Sequence, residues 1–113
     1  MATLEVQSLY NEAVRLEKSG NHNQSKETYK KIISLDAEFY LAYQNIGAIF
    51  AKEGDHKQAI DYFSKAVKIH PEYKNYYNIG VSFYRLKEYE KAIHFIKQAL
   101  HLEKRFVLGH LLL

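Results

Sequence analysis

The chain has 113 residues, enough for one domain with a modest core. Hydrophobic residues make up 47% and charged residues 26%, which excludes an intrinsically disordered chain. The formal charge of +3 comes from 16 basic and 13 acidic residues that are interspersed, so the concentrated basic stripe of a nucleic-acid binder is missing, and the absence of cysteine excludes disulfides, zinc–thiolate sites and cysteine nucleophiles.

Met1 to Tyr10 lack a charged segment followed by an apolar run, so no secretory signal is expected, and the expected location is the cytoplasm. No stretch approaches the roughly 18 apolar residues of a membrane span. Helical patterns then follow in pairs. In the first pair Leu9, Ala13 and Leu16 share a face; Gly20 stops that helix, and Asn21 with Gln24 opens the next, which carries Ser25 and Tyr29. In the second pair Tyr43, Ile46, Gly47 and Phe50 recur at three and four residues, and Gly54 ends the run. Asp55 with Gln58 resembles a capping box opening the partner helix, whose apolar face is Ala59, Ile60, Phe63, Ala66 and Val67. Pro71 forbids its continuation. The third pair has Tyr76, Ile79, Gly80 and Phe83, then Ala92, Ile96 and Ala99, with Lys87 where the glycine would stand and Glu88 opening its second helix.

These pairs are copies. Tyr43, Asn45, Ile46, Gly47, Phe50, Ala59, Phe63 and Ala66 lie 33 residues before Tyr76, Asn78, Ile79, Gly80, Phe83, Ala92, Ile96 and Ala99. A weaker copy lies 34 residues upstream, with Asn11 over Asn45, Ala13 over Gly47, Leu16 over Phe50, Gly20 over Gly54, Ser25 over Ala59 and Tyr29 over Phe63. The units are 6–39, 40–72 and 73–106 within a single domain, 1–113. Residues 107–113 read as the start of a capping or fourth-unit helix; Phe106, Val107, Leu108, Leu111, Leu112 and Leu113 make that end apolar.

The second unit's Tyr43-x2-Ile46-Gly47-x2-Phe50, then Ala59-x3-Phe63, Ala66 and Pro71, resembles the tetratricopeptide repeat. The third unit resembles it with Tyr76-x2-Ile79-Gly80-x2-Phe83, Ala92-x3-Ile96 and Ala99, with Lys104 near the proline position. The first departs from it, with Glu12 in an apolar slot and Ile32 in a small-residue slot. The resemblance covers nearly the whole chain. It implies an all-α fold, a right-handed α-solenoid of stacked antiparallel helix hairpins, in which no hairpin buries its apolar face alone.

The resemblance also implies a concave groove lined by the first helices. The groove would carry Gln7, Tyr10, Asn11 and Val14, then Leu41, Gln44, Asn45 and Ala48, then Lys74, Tyr77, Asn78 and Val81. Lys18, Lys52 and Arg85 recur near the ends of these helices. Asn11, Asn45 and Asn78 occupy one slot in each unit; an amide donates and accepts, so such a row would pair with a peptide backbone or bond within the repeat. Lys52, Lys74 and Arg85 would favour an acidic segment or a free carboxylate, or simply form a solvated helix end. Some relatives clamp acidic chaperone tails with a Lys, Asn, Asn, Lys, Arg set. Only Asn45 and Lys74 match it, since Tyr10, Val14 and Asn78 fill the other slots.

Motifs for chemistry are missing. Six histidines include no H-E-x-x-H; His94 and His101 share a face without a third ligand, and His22 and His56 fall near turns, where exposure is expected. No phosphate-cradling glycine loop or nucleophile elbow occurs. The reading is a protein-interaction scaffold without catalytic residues, metal or cofactor, which receives a peptide or helix, acidic in character, of another protein. The alternative is a structural module self-associating as a homo-oligomer through residues 106–113. RNA binding, suggested only by the pI of about 9.0 and by related helical repeats, comes last.

Overall fold

A computed structural model describes the backbone of residues 3–112 and the side chains of residues 4–105. It contains six helices: α1 (Thr3–Lys18), α2 (His22–Leu35), α3 (Tyr40–Lys52), α4 (His56–Ile69), α5 (Tyr73–Arg85) and α6 (Tyr89–Leu112). There is no strand among the described residues. Each helix packs on its sequence neighbours, giving three hairpins stacked in order.

The turns inside the hairpins share one chemistry. After α3, the Gly54 amide donates to Ala51 O at 3.1 Å and the Asp55 amide to Phe50 O at 2.9 Å. This pairing satisfies carbonyls that the helix end would leave bare, and it requires a left-handed residue. Gly20 (φ +84°) and Gly54 (φ +82°) meet the requirement without a Cβ clash. The third turn makes the same two bonds through Lys87 and Glu88, with Lys87 itself at φ 65°. The bond pattern is kept although the glycine is not.

Helix starts follow the sequence less closely. The Asp55 carboxylate accepts from the Gln58 amide at 3.2 Å, the backbone half of a capping box. Asn21, expected to do the same, has no capping bond; its amide instead donates to Ser19 Oγ at 3.2 Å. At the far end, α6 runs unbroken to Leu112, where the sequence suggests a new helix beginning near residue 107. Lys104 stands where Pro71 halts α4, so nothing removes the backbone donor that continues the helix. The apolar side chains of residues 106–113, proposed to mediate self-association, lie outside the described residues.

Within each hairpin the two helices meet at a small residue. A Cβ on Gly47 would stand 3.0–3.2 Å from the Phe63 ring, and one on Gly80 would stand 2.6 Å from Ile96 Cγ1 and 3.1 Å from the Ala92 carbonyl oxygen. Between hairpins, positions four and seven residues apart form the mating face. Ala42, Ile46 and Ile49 of α3 are buried, as are Asn75, Ile79 and Ser82 of α5. The same positions of α1 hold Ser8, Glu12 and Arg15, all exposed. Glu12 is thus explained: its slot is apolar only when a hairpin lies beneath it. Ile32, in the small-residue slot, is fully buried beside Ala13, Tyr29 and Ile46.

Gly→Ala substitutions should therefore separate the hairpins. Alanine gains about 1 kcal/mol of helix propensity over glycine. At position 47 the Phe63 side chain can yield, so Gly47→Ala should be nearly neutral. At position 80 backbone atoms block the methyl group, and Gly80→Ala should cost about 1–3 kcal/mol through overpacking. Urea unfolding of both variants, followed by circular dichroism, checks the order.

Candidate binding face of the first helices

The first helices of the hairpins, α1, α3 and α5, carry the predicted site residues. Polar contacts link them. Asn45 Nδ2 donates to the Tyr10 hydroxyl at 3.2 Å and to the Tyr29 hydroxyl at 3.0 Å. The Tyr29 hydroxyl donates in turn to Glu17 Oε1 at 3.1 Å. Tyr10 also packs edge-on against Tyr29, with ring centroids 6.0 Å apart, and against Phe39 at 5.6 Å. One step along the stack, Asn75 Nδ2 donates to Gln44 Oε1 at 2.9 Å. Tyr10, Gln44 and Asn45 thus bind the first helices to each other.

The asparagine row is not uniform. Asn11 is exposed and accepts from Gln7 Nε2 at 3.1 Å, one turn away on the same helix. Both amide hydrogens of Asn45 are used inside the stack. Asn78 is half-buried, has no side-chain hydrogen bond among the described residues, and borders two cavities. Leu41 is half-buried.

The first cavity, about 390 Å³, lies between α5 and α6 and is lined by Tyr73, Lys74, Tyr77, Asn78, Ala99, Leu100 and Glu103. The second, about 280 Å³, joins α3, α4 and α5, and brings Lys52 and Arg85 together with Asn78 over Ala48, Ala51, Phe63 and Val81. Ser82 and His56 complete it. His56, expected at an exposed turn, is half-buried, and its buried Nδ1 has no partner among the described residues. His22 is half-buried as well, with Nδ1 3.8 Å from Glu53. Both correct the expectation of exposure. The signal was available: each follows directly on a helix-opening residue, where the next hairpin covers it. Asn75 was also missed. It occupies the position of the buried Ala42, and its Oδ1 has no partner among the described residues.

No group of three His, Asp or Glu residues gathers as a metal site would require among the described residues. None of the helices, among the described residues, is long and apolar enough to cross a membrane.

The profile of the tetratricopeptide repeat matches residues 6–39, 40–73 and 74–106. The chain belongs to the tetratricopeptide-repeat family. Among curated relatives, anaphase-promoting complex subunit 3 of Schizosaccharomyces pombe is 30% identical over 85 residues, which is 74% of this chain and 13% of that protein. The photosystem I assembly protein Ycf3 of Acaryochloris marina is 29% identical over 89 residues, 74% of this chain and 53% of that protein. The chain thus spans at most about half of these relatives. Among solved structures, a crystal structure of MamA superimposes with a TM-score of 0.88 at 20% identity, covering 90% of this chain and 60% of that one. The second tetratricopeptide domain of Spaghetti (RPAP3), bound to the HSP90 peptide SRMEEVD, gives 0.80 at 18% identity, covering 86% and 91%. These likenesses show a solenoid of stacked helical hairpins.

The Tyr29 hydroxyl supplies a test of the polar junction. Tyr29 is fully buried, and its pKa lies well above the ordinary value, first through burial and then through the Glu17 carboxylate; the bond from Asn45 opposes the shift. Because the native pKa is raised, the hydroxyl's contribution is complete below the unfolded-state pKa of about 10 and declines as pH climbs toward the native value. At neutral pH Tyr29→Phe should cost about 1–2 kcal/mol, since Glu17 loses its donor and Asn45 one of its two acceptors. Above pH of about 10 the gap between wild type and variant should narrow. Urea titrations at neutral and alkaline pH measure it.

Proposed function

We propose that the chain is a binding scaffold whose α1, α3 and α5 face receives an extended segment of a partner protein. One observation carries this reading. Asn78, with amide groups unclaimed by the stack, sits between two cavities that open beside exposed Tyr77, Lys74, Lys52 and Arg85. An amide flanked by an aromatic ring and cations suits a polar backbone with acidic side chains. The RPAP3 domain, solved with its peptide, illustrates that a stack of this kind receives such a segment. The acidic-tail clamp of some relatives is a poor template here. Tyr10, Val14 and Asn78 fill three of its slots, and the Asn45 amide hydrogens are engaged by tyrosines. Gln7, Asn11, Leu41 and Gln44 would extend the same face toward α1. The test compares capture of partners from a native lysate by the wild type and by Tyr77→Ala with Asn78→Ala. The double variant should lose about tenfold or more in affinity for the captured protein while keeping its helicity. Equal capture would reject the face.

A second reading, self-association, is favoured by the end of the stack. Tyr77, Tyr84, Tyr89, Ile93 and Leu100 are each more than half exposed, and all belong to α5 or α6. Their equivalents in the earlier hairpins touch the next hairpin: Gln44 bonds Asn75, Ala51 lines the cavity with α5, His22 lies near Glu53, Lys26 covers the Phe50 ring, and Val67 is buried. Among the described residues nothing covers the α5–α6 surface, whereas the outer face of α1 is Ser8, Glu12 and Arg15. That polar face does not complement the apolar end, so head-to-tail growth is disfavoured. Two copies would join end to end through the same surface, which closes at a dimer. Light scattering over a concentration series should then reach a dimer and stop, and Leu100→Glu should return it to monomer. A monomer throughout, or continued growth, rejects this reading.

A further inference from the structure

Basic and acidic residues alternate along the chain, but the fold sorts them. The second helices turn Ser25, Tyr29 and Ile32 of α2, Ala59, Phe63 and Ala66 of α4, and Ala92 and Ala99 of α6 inward, where they are buried. With about 100° between successive residues, the opposite side of α2 carries Lys30, Lys31 and Ser34 in its last turns. The equivalent positions are Ser64, Lys65 and Lys68 in α4, and Lys97, Gln98 and His101 in α6. All are exposed except Ser64, which is half-buried. These three aligned rows hold five lysines and a histidine, and no carboxylate. They point away from α1, α3 and α5.

Acidic residues stand at the margins of this band. Glu27 and Asp61 lie one turn nearer the helix starts, and Asp36 and Glu103 lie two residues past the last row. Only Lys30 of the five lysines is paired among the described residues, with Glu27 at 3.6 Å. Between the band and the outer acids runs an apolar row of Leu35, Ile69 and Leu102. Leu35 is 44% exposed, and the other two are half-buried.

The composition of the band selects its partner. Lysine ammonium groups are compact, strongly hydrated charges that answer to a diffuse negative potential. The three rows hold no arginine fork to grip single phosphates and no aromatic ring on which a base would stack, both of which favour nucleic acid. They do have an apolar border, which a lipid interface rewards and a nucleic-acid backbone does not. We infer that the outer face of α2, α4 and α6 docks on an anionic lipid surface, with the lysines among the headgroups and Leu35 reaching the acyl boundary. The attachment is peripheral and needs no spanning helix. It leaves the first helices pointing away from the bilayer and is independent of what they receive.

Sedimentation of the full chain with phosphatidylcholine vesicles, with and without phosphatidylserine, tests the docking. Binding should require phosphatidylserine and fall steeply with added sodium chloride. Lys31→Gln, Lys65→Gln and Lys68→Gln together should weaken it at least about tenfold with helicity retained. Lys52→Gln with Arg85→Gln removes cations from the first helices and should weaken it far less. Leu35→Ser should weaken it about threefold with the salt dependence kept, and this variant carries the test if the triple variant fails to fold. Binding that ignores phosphatidylserine, equal losses in the two charge sets, or unaltered binding of the Leu35→Ser variant overturns the inference. So does tighter binding of a uridine oligonucleotide that the triple variant loses, which would assign the band to nucleic acid. Each of these outcomes leaves the lysate comparison for the first-helix face untouched.

Discussion

The structure depends on how closely two helices of one hairpin approach. Gly47 and Gly80 let α3 and α5 lie against Phe63 and Ile96 with almost no clearance. Ala59, Ala66, Ala92 and Ala99 on the second helices keep that contact thin from the other side. Only when each hairpin is this narrow can the next first helix settle against it along a row such as Ala42, Ile46 and Ile49. The same close packing carries the solenoid and holds the first helices near enough for Asn45 to reach two tyrosines.

Much of this was legible in the sequence because it rests on side-chain size. Small and large apolar residues returning every 33 or 34 positions announce hairpins that nest, and the helix ends follow from glycine and proline. Lys87 shows the limit of that reading. The left-handed turn is demanded by the carbonyls it satisfies, and lysine adopts it at φ 65° where glycine would have done so freely. Asn21 shows another limit. A capping residue type in the capping position donates elsewhere when Ser19 is within reach.

The candidate site was legible by position but less so by role. The three asparagines are equivalent in register and different in use, because their surroundings differ: a helical neighbour for Asn11, two hydroxyls for Asn45, and neither for Asn78. Register tells where a side chain stands; its partners come from other units, and those positions have diverged. Tyr29 against Phe63 and Glu17 against Ala51 are single-position changes that reassign a whole polar cluster. The half-buried histidines escaped notice for a related reason. A residue beside a turn is covered here by the following hairpin, which a local reading does not include.

Phe50 has a wider consequence. Its ring packs against both apolar clusters, the one centred on Tyr29 and Ile46 and the one centred on Phe63 and Ile79. It also stacks on Tyr62 at 5.7 Å and lies under the Lys26 ammonium group at 4.1 Å. Arrays of this kind hold together through nearest-neighbour terms, so a single side chain shared by two units sets how firmly one senses the melting of the other. Through this ring the two clusters share a contact, which couples the stability of neighbouring hairpins.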